Sequence, residues 1–193
     1  MLRSPQNLGI IHFIGIGGIG MSGIAEILFQ SGYLVQGSDI SQNKNTDRLK
    51  KLGIKIYLEQ KKSNIVNAKI IVVSSAISET NKELKAAKKL FIPIVHRSEM
   101  LGELMRLKQS IAIAGTHGKT TTTSLIAKMI EENGMDPTII NGGIISSLDS
   151  NAKLGNGEWM VVEADESDGS FAKLNPTAAV ITNIDLEHLD FHK

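Results

Sequence analysis

Glycine, lysine and threonine residues between positions 115 and 121 stand in an order typical of a phosphate-binding loop. The segment Gly115-Thr116-His117-Gly118-Lys119-Thr120-Thr121 follows the apolar run 111–114 and precedes a helical pattern. Backbone N–H groups of such a loop, and of the helix after it, surround nucleotide phosphates. We expect Lys119 to contact the outer phosphates and the Thr120 hydroxyl to ligate magnesium. Ile113 replaces the first glycine of the usual pattern, so a glycine turn capped by threonines is the alternative interpretation.

Oxygen-bearing and imidazole side chains that could serve a metal occur later in the chain. Glu163 ends the apolar run 159–162, the usual place for the acidic partner of a phosphate loop. More such residues follow up to Asp168, but magnesium prefers few carboxylates together with water and phosphate oxygens. His188 comes after the next strand, at the same predicted sheet edge. Imidazole is a poor magnesium ligand, so a helix-capping or supporting role is its alternative.

A second glycine-rich loop lies near the start of the chain. Residues 15–20 fit G-x-G-x-x-G directly after the apolar run 10–14, and a diphosphate can approach such a backbone closely. Asp39 stands about twenty residues further on, where an acid commonly contacts a ribose. The pattern indicates a nucleotide site without identifying the nucleotide, and its candidate residues are Gly15, Gly17, Gly18, Gly20 and Asp39.

Ser74 and Ser75 follow another apolar run, 70–73. Ligands of open α/β sheets bind at the carboxyl ends of strands, so both serines are candidates for the same site. Ordinary turn or N-cap chemistry is the alternative role for these two residues.

The elements that position these residues alternate between strand and helix, which predicts an α/β protein with parallel sheets. The first half predicts strands at 10–14, 33–36, 55–57, 70–74 and 92–95, with helices at 20–30, 46–52, 80–90 and 98–107. The pattern then restarts, with strands at 110–114, 138–140, 159–162 and 178–182, a helix at 120–133 and a turn at 141–143. We therefore expect a Rossmann-like domain over 1–107 and a phosphate-loop domain over 108–193.

Composition excludes several classes of protein. The 193 residues carry 21 Lys and Arg against 20 Asp and Glu, a net charge of +1, so bulk charge favours neither nucleic acid nor an anionic membrane as a partner. With no cysteine, disulfides and thiolate chemistry are excluded. The first apolar run is interrupted by His12 and by glycines, unlike a secretory signal. We expect a cytoplasmic protein, and nothing in the sequence indicates an oligomeric state.

Five segments together resemble the Mur ligase family, and within it the UDP-N-acetylmuramate–L-alanine ligases. The segments are 12–26, which begins His12-Phe13-Ile14-Gly15-Ile16-Gly17-Gly18-Ile19-Gly20, then 97–105, 115–122, 163–171 and 183–190. They keep the order of the family and span almost the whole chain. Each segment alone is a weak signal, whereas the set is specific.

This resemblance implies that the first domain binds the UDP of UDP-N-acetylmuramate and the second binds MgATP. It implies that the sugar carboxylate attacks the γ-phosphate to give an acyl phosphate, from which the amine of L-alanine displaces phosphate. By motif match, Lys119 neutralises the outer phosphates, Thr120 and Glu163 hold one magnesium, and His188 lies at a second metal.

The family also has a third, C-terminal domain that closes over the site. We expect the second domain here to be incomplete, and the chain to be inactive alone because closure protects the acyl phosphate from water. Three alternatives stay open: a ligase that recycles a peptide onto the same UDP-sugar, a non-catalytic nucleotide-binding module, and an NAD-dependent oxidoreductase with a fused phosphate-loop domain. No candidate hydride-transfer residue supports the oxidoreductase.

Overall fold

A computed structural model of the protein describes residues 8–145, 149–165 and 169–186. The chain divides into two compact units, the first ending at Met100 and the second beginning at Leu101. The predicted domain boundary after residue 107 lies slightly further along the chain and stays a prediction. None of the helices within the described residues has the length and apolar content that crossing a membrane requires.

The first unit is built on a parallel sheet, as the alternating pattern predicted. Its strands pair in the order β3-β2-β1-β4-β5 and are β1 Ile10–Ile14, β2 Val35–Ser38, β3 Lys55–Tyr57, β4 Ala68–Val73 and β5 Ile94–His96. Its helices are α1 Ile19–Gln30, α2 Lys44–Lys51, α3 Lys82–Lys89 and α4 Arg97–Met105, with a 3-10 helix at Lys62–Ile65. The two units divide within α4.

Burial of both sheet faces explains the apolar runs of the central strands. Ile11, Phe13 and Ile14 of β1 have no exposed surface, and Ile71 and Val72 of β4 are likewise fully buried. From β1 the chain adds β2 and β3 on one side of β1, and it then returns to add β4 and β5 on the other side. The direction in which strands are added therefore reverses between β1 and β4. Such a reversal opens a crevice at the carboxyl ends of the two strands.

The second unit is a mixed sheet with the order β10-β6-β9-β7-β8. The strands are β6 Gln109–Ala114, β7 Thr138–Ile145, β8 Ser150–Lys153, β9 Trp159–Glu163 and β10 Ala178–Ile181, and only β7 and β8 pair antiparallel. Helix α5, Lys119–Glu132, follows β6, and a 3-10 helix covers Ser170–Lys173. Ile113, Ala127, Ile139 and Val161 form the buried core between α5 and the sheet.

Two features of this unit differ from the prediction. The predicted turn at 141–143 is wrong, because β7 continues through these residues to Ile145, with an irregular register after Ile140. The N–H of Gly142 bonds a side chain of β9 instead of closing a turn. Strand β8 was not predicted, since Ser150-Asn151-Ala152-Lys153 has no apolar alternation although its first three residues are buried.

Candidate nucleotide sites

A cavity of about 570 Å³ opens at the crevice of the first unit. It brings together the glycine loop after β1, the segment after β2 and the segment after β4, as expected for carboxyl ends of parallel strands. Its lining includes most of the predicted nucleotide-binding residues of this unit, namely Gly15, Gly17, Gly18, Asp39 and Ser74.

The glycine loop leaves no room for side chains at its tightest point. A Cβ on Gly17 would lie 2.6 Å from Asn43 Nδ2 and 2.8 Å from Asp39 Oδ2. Gly15 has a φ of +80°, a conformation that other residues rarely adopt. Glycine at these positions therefore lets the loop fold tightly against its neighbours beside the cavity.

Asp39 is tied to the glycine loop. Its Oδ2 accepts the N–H of Gly17 at 2.8 Å, and its Oδ1 accepts the N–H of Ile40 at 2.8 Å. Oδ1 also accepts the N–H of Ser41 at 3.4 Å, whereas Oδ2 keeps a second lone pair, so contact of Oδ2 with a ribose is compatible with this role. The contact itself stays a prediction.

Gly20 lies in the first turn of α1, close to the guanidinium of Arg97, which was not among the predicted site residues. A Cβ on Gly20 would lie 2.6 Å from an Nη atom of Arg97. The guanidinium therefore adds a full positive charge to the partial charge of the helix N-terminus. Arg97 entered the sequence argument only within a matched segment, because nothing in its own neighbourhood links it to residues 15–20.

The serines separate in the structure. Ser74 lines the cavity, whereas Ser75 is exposed and is not part of the lining. Asn81, also in the lining, accepts the N–H groups of Glu83 and Leu84 and so caps α3. Binding of the UDP-sugar by either serine stays a prediction.

Five polar side chains form a buried polar cluster behind the crevice: His12, Gln36, Ser38, Asn64 and Glu83. The Glu83 carboxylate accepts the Ser38 hydroxyl at 2.5 Å and the Asn64 amide at 2.6 Å. His12 Nε2 lies 3.4 Å from the same carboxylate. The cluster joins β1 and β2 to the start of α3, next to both Asp39 and Asn81.

In the second unit the phosphate-loop segment adopts the expected strand–loop–helix arrangement. Gly115 and Gly118 have φ values of +123° and +80°, and Gly118 is the N-cap residue of α5. A Cβ on Gly115 would lie 2.2 Å from Thr182 Oγ1, so glycine is required there. Lys119 folds back over the loop, donating to the carbonyls of Gly115 at 2.6 Å and Thr116 at 3.0 Å.

Two residues after β10 hold the loop from the opposite side. The Thr182 hydroxyl donates to the carbonyl of His117 at 2.6 Å, and the Asn183 amide donates to the same carbonyl at 2.9 Å. The N–H of His117 donates in turn to Asn183 Oδ1 at 2.9 Å. No local sequence pattern assigns these two residues a role, because they are separated from His117 by 65 and 66 positions.

The predicted magnesium ligands of this loop are adjacent. The Thr120 hydroxyl donates to Glu163 Oε2 at 2.9 Å, and the N–H of Gly142 donates to the same oxygen at 2.8 Å. Asn141 fixes the surrounding backbone, since its amide donates to Ser124 Oγ at 2.9 Å and its Oδ1 accepts the N–H of Gly142 at 3.0 Å. Thr121 is exposed one residue further along α5.

The chemistry of these donors suits a hard cation. Magnesium takes oxygen ligands from proteins, such as the half-buried carboxylate and the hydroxyl found here. Water and phosphate oxygens then complete its coordination shell. Within the described ranges no three acidic or histidine side chains are grouped to hold a metal, so an ion here would depend on such additional ligands. His188, Glu166 and Asp168 lie outside the described residues.

Two protein-family models match successive parts of the chain. Residues 10–109 match a model described as Mur ligase family, catalytic domain, and residues 113–193 match the Mur ligase middle domain. The chain is 60% identical over 192 residues to the UDP-N-acetylmuramate–L-alanine ligase of Parvibaculum lavamentivorans, covering 100% of this chain and 39% of that protein. The corresponding ligase of Rhodospirillum rubrum is also 60% identical, with 100% and 40% covered.

Solved structures with similar folds carry related descriptions. The UDP-N-acetylmuramate-alanine ligase of Thermotoga maritima superposes with a TM-score of 0.89 at 35% identity, covering 95% of this chain and 43% of that one. A UDP-N-acetylmuramate:L-alanyl-gamma-D-glutamyl-meso-diaminopimelate ligase from Neisseria meningitides gives 0.88 at 28% identity, covering 96% and 64%. The chain spans about 40% of the length of the curated relatives it matches.

Proposed function

Because this chain belongs to the Mur ligase family, we propose that its two units are the UDP-sugar-binding and ATP-binding parts of a UDP-N-acetylmuramate–L-alanine ligase. The observation that carries the proposal is the meeting of Lys119, Thr120 and Glu163 around one phosphate loop. Such a constellation belongs to an enzyme that transfers a phosphoryl group. Identity near 60% along the whole chain to ligases of this name supports the choice of substrates.

The first domain, residues 1–107 by the predicted boundary, binds UDP-N-acetylmuramate. The glycine loop at 15–20 approaches the diphosphate, assisted by the N-terminus of α1. Asp39 contacts the ribose while holding Gly17, Ser74 lines the same cavity, and Ser75 is the neighbouring residue predicted to bind the UDP-sugar. A cavity of about 570 Å³ is of a size suited to small-molecule ligands.

The second domain, residues 108–193 by the predicted boundary, binds ATP as the energy-supplying substrate. Backbone N–H groups of the loop from Gly115 to Thr121 surround the phosphates, and Lys119 moves from the loop carbonyls to the outer phosphates. Thr120 and Glu163 would hold one Mg²⁺, and His188 would serve a second metal. These ions would neutralise the charge that develops on the phosphates during transfer.

The reaction proceeds through two transfers. The lactyl carboxylate of the sugar attacks the γ-phosphorus and ADP leaves, giving an acyl phosphate. The amine of L-alanine then attacks the acyl carbon, phosphate leaves, and the nitrogen loses a proton. Lys119 stabilises the negative charge on the transferring group, because a fixed cation costs no reorganisation during reaction. We place this activity in the cytoplasm, where both nucleotides are available.

The peptide-recycling ligase is the second candidate. It has the same fold, as the TM-score of 0.88 for such a ligase from Neisseria meningitides shows, but identity there is 28% against 60% for the alanine ligases. Sequence similarity at this level favours L-alanine as the acceptor amine.

Ligand titration tests the proposal. Isothermal titration of the chain with UDP-N-acetylmuramate, NADH and MgATP should show binding of the first and third only. The Asp39→Ala variant should lose the UDP-sugar while retaining MgATP, and Lys119→Ala should show the reverse. Binding of NADH in preference to UDP-N-acetylmuramate would refute the proposed function.

A further inference from the structure

Lysines gather on one side of the first unit, although the overall charge is close to neutral. From Lys61 to Phe91 the chain has seven lysines and two glutamates, and one of those glutamates, Glu83, is fully buried. Five of the lysines line a single depression of about 500 Å³ between the 3-10 helix and α3: Lys61, Lys62, Lys82, Lys85 and Lys89. We call this depression the lysine face.

Most of this charge is uncompensated. Lys61 pairs with Glu59, and this ammonium is the main cause that lowers the pKa of the Glu59 carboxyl. Within the part of the chain that the structure describes, Lys62, Lys82, Lys85 and Lys89 have no carboxylate within ion-pair distance. Lys82, Lys85 and Lys89 fall on one stripe of α3, which the spacing of three and four residues produces. The lysine face therefore presents several positive charges together.

Exposed apolar side chains follow both elements of the lysine face. Phe91, two residues after α3, is 92% exposed, and Leu90 before it is 57% exposed. Val66, directly after the 3-10 helix, is 67% exposed. Phe91 also has a φ of +54°, in the left-handed region that disfavours a bulky residue. A side chain this exposed contributes little to the packing of this unit.

Strand direction places these apolar residues at the end opposite the nucleotide cavity. Val66 precedes β4 and Phe91 precedes β5, which are parallel neighbours, so both residues lie at the amino ends of their strands. The cavity lies at the carboxyl ends, where Ser74 follows β4. Val66 and Phe91 therefore lie away from the cavity.

We propose that the lysine face, with Phe91, Leu90 and Val66, docks this protein on an anionic lipid bilayer. Clustered lysines attract anionic headgroups, and apolar side chains beside them enter the boundary between headgroups and acyl chains. The cationic residues of the lysine face are all lysines, and apolar residues lie at its rim. These features suit a lipid surface better than a nucleic acid, for which arginine would supply bidentate contacts. The inference does not depend on the proposed ligase activity.

Vesicle sedimentation tests it with the 193-residue chain. Vesicles of phosphatidylglycerol and phosphatidylcholine should sediment the protein, and pure phosphatidylcholine should not. The variant Lys62→Glu/Lys85→Glu/Lys89→Glu should bind at least one hundred-fold more weakly, since each lysine strengthens binding by roughly five-fold. Its matched control is Lys44→Glu/Lys50→Glu/Lys51→Glu, which makes the same charge change on α2 and should bind far more tightly than the first variant.

Phe91→Asn provides an independent measurement. Asparagine tolerates a positive φ, so the variant should unfold at the same or a higher temperature. It should nevertheless bind anionic vesicles about ten-fold more weakly, because one inserted aromatic is lost. The proposal would be overturned if the two triple variants lost vesicle binding equally, or if the protein did not bind anionic vesicles. Binding only to nucleic acid or to acidic protein would also overturn it.

Discussion

Lys119 is the residue on which the proposed nucleotide binding depends most directly. Its ammonium is held by the carbonyls of Gly115 and Thr116, so it already lies within the loop that is proposed to receive the phosphates. Bonds to phosphate, in which donor and acceptor are both charged, would replace two bonds to neutral carbonyls, and bonds between two charged groups are the stronger kind. One side chain would therefore both support the loop through its carbonyls and bind the phosphates.

Lys119→Ala should therefore weaken MgATP binding by roughly a hundred-fold, the equivalent of one or two charge-assisted bonds. UDP-N-acetylmuramate binding should change by less than about two-fold, within the scatter expected of independent sites. Isothermal titration measures both. Lys128→Ala, on the exposed face of α5, is the control and should leave both affinities unchanged. Loss of UDP-sugar binding with ATP binding retained would reverse the roles assigned to the two units.

Gly142 controls the position of Glu163. A Cβ at residue 142 would lie 2.3 Å from Glu163 Oε1, so Gly142→Ala must displace the carboxylate from Thr120. We expect the variant to lose most of the increase in ATP affinity that Mg²⁺ provides, while affinity measured in EDTA changes little. Gly143→Ala is a milder comparison, because its Cβ would approach only a Thr120 methyl group, at 3.0 Å. Equal magnesium dependence in Gly142→Ala and the parent chain would remove Glu163 from the proposed metal site.

Elements depend on polar residues as much as on their apolar faces. The buried polar cluster connects β1 and β2 to α3 through Glu83, a carboxylate with no exposure. Removing one member leaves the others buried without partners, which costs more than the bonds contribute when complete.

Glu83→Ala should lower the free energy of unfolding of the first unit by about 3 kcal/mol or more. Urea unfolding followed by circular dichroism measures this change. Glu79→Ala, whose exposed side chain pairs with Lys88, should cost less than about 1 kcal/mol. Similar effects of the two substitutions would show that the cluster adds no stability beyond that of a surface pair.

The β7–β8 region has an acid-sensitive contact of its own. The N–H of Asn156 donates to Asp136 Oδ2 at 2.9 Å, and Lys153 Nζ lies 2.9 Å from Oδ1. The Asn156 bond, and then Lys153, lower the pKa of the Asp136 carboxyl below its usual value. A lowered folded-state pKa stabilises the protein above the unfolded-state pKa, and this contribution is lost as the pH falls through the folded value.

Asp136→Asn should therefore destabilise the second unit at pH 7 and make progressively less difference below about pH 4, the range of an unperturbed aspartate. The urea midpoint of Trp159 fluorescence, measured between pH 7 and pH 3, follows this difference. Asp149→Asn, an exposed aspartate near the same strands, is the control. If the difference in urea midpoint between Asp136→Asn and the parent chain stayed constant with pH, the assignment of this acid-sensitive contribution to Asp136 would be contradicted.

Sequence patterns predicted most elements because apolar runs and glycine positions are local signals. Strands β1, β3, β6 and β9 and helices α1 and α5 lie within one or two residues of their predicted bounds, the usual disagreement at element ends. β8 was not predicted because two of its three buried residues are polar, and the extension of β7 was not predicted because Asn141-Gly142-Gly143 has the composition of a turn. The site residues that belong to contiguous motifs could be predicted from the sequence. Arg97, Asn141, Thr182 and Asn183 could not, because their contacts join residues that are distant in the sequence.

At the scale of the whole molecule the two units should respond separately to substitution. Trp159 is the single tryptophan and belongs to the second unit, whereas both tyrosines, Tyr33 and Tyr57, belong to the first. In Glu83→Ala, unfolding followed by tyrosine fluorescence or circular dichroism should begin at lower urea, while the Trp159 midpoint stays within error of the parent. A parallel shift of both signals would show that the units unfold as one.

The order of the strands in each sheet also determines when each strand gains its neighbours during synthesis. The first sheet is complete once β5 has left the ribosome, because every strand by then has its neighbours. Strand β6 is different, since its partners β9 and β10 begin only at residues 159 and 178. At roughly 5–20 residues per second, this apolar strand waits several seconds with both edges unpaired. The interval after β6 emerges is thus when a nascent chain of this protein most needs a chaperone.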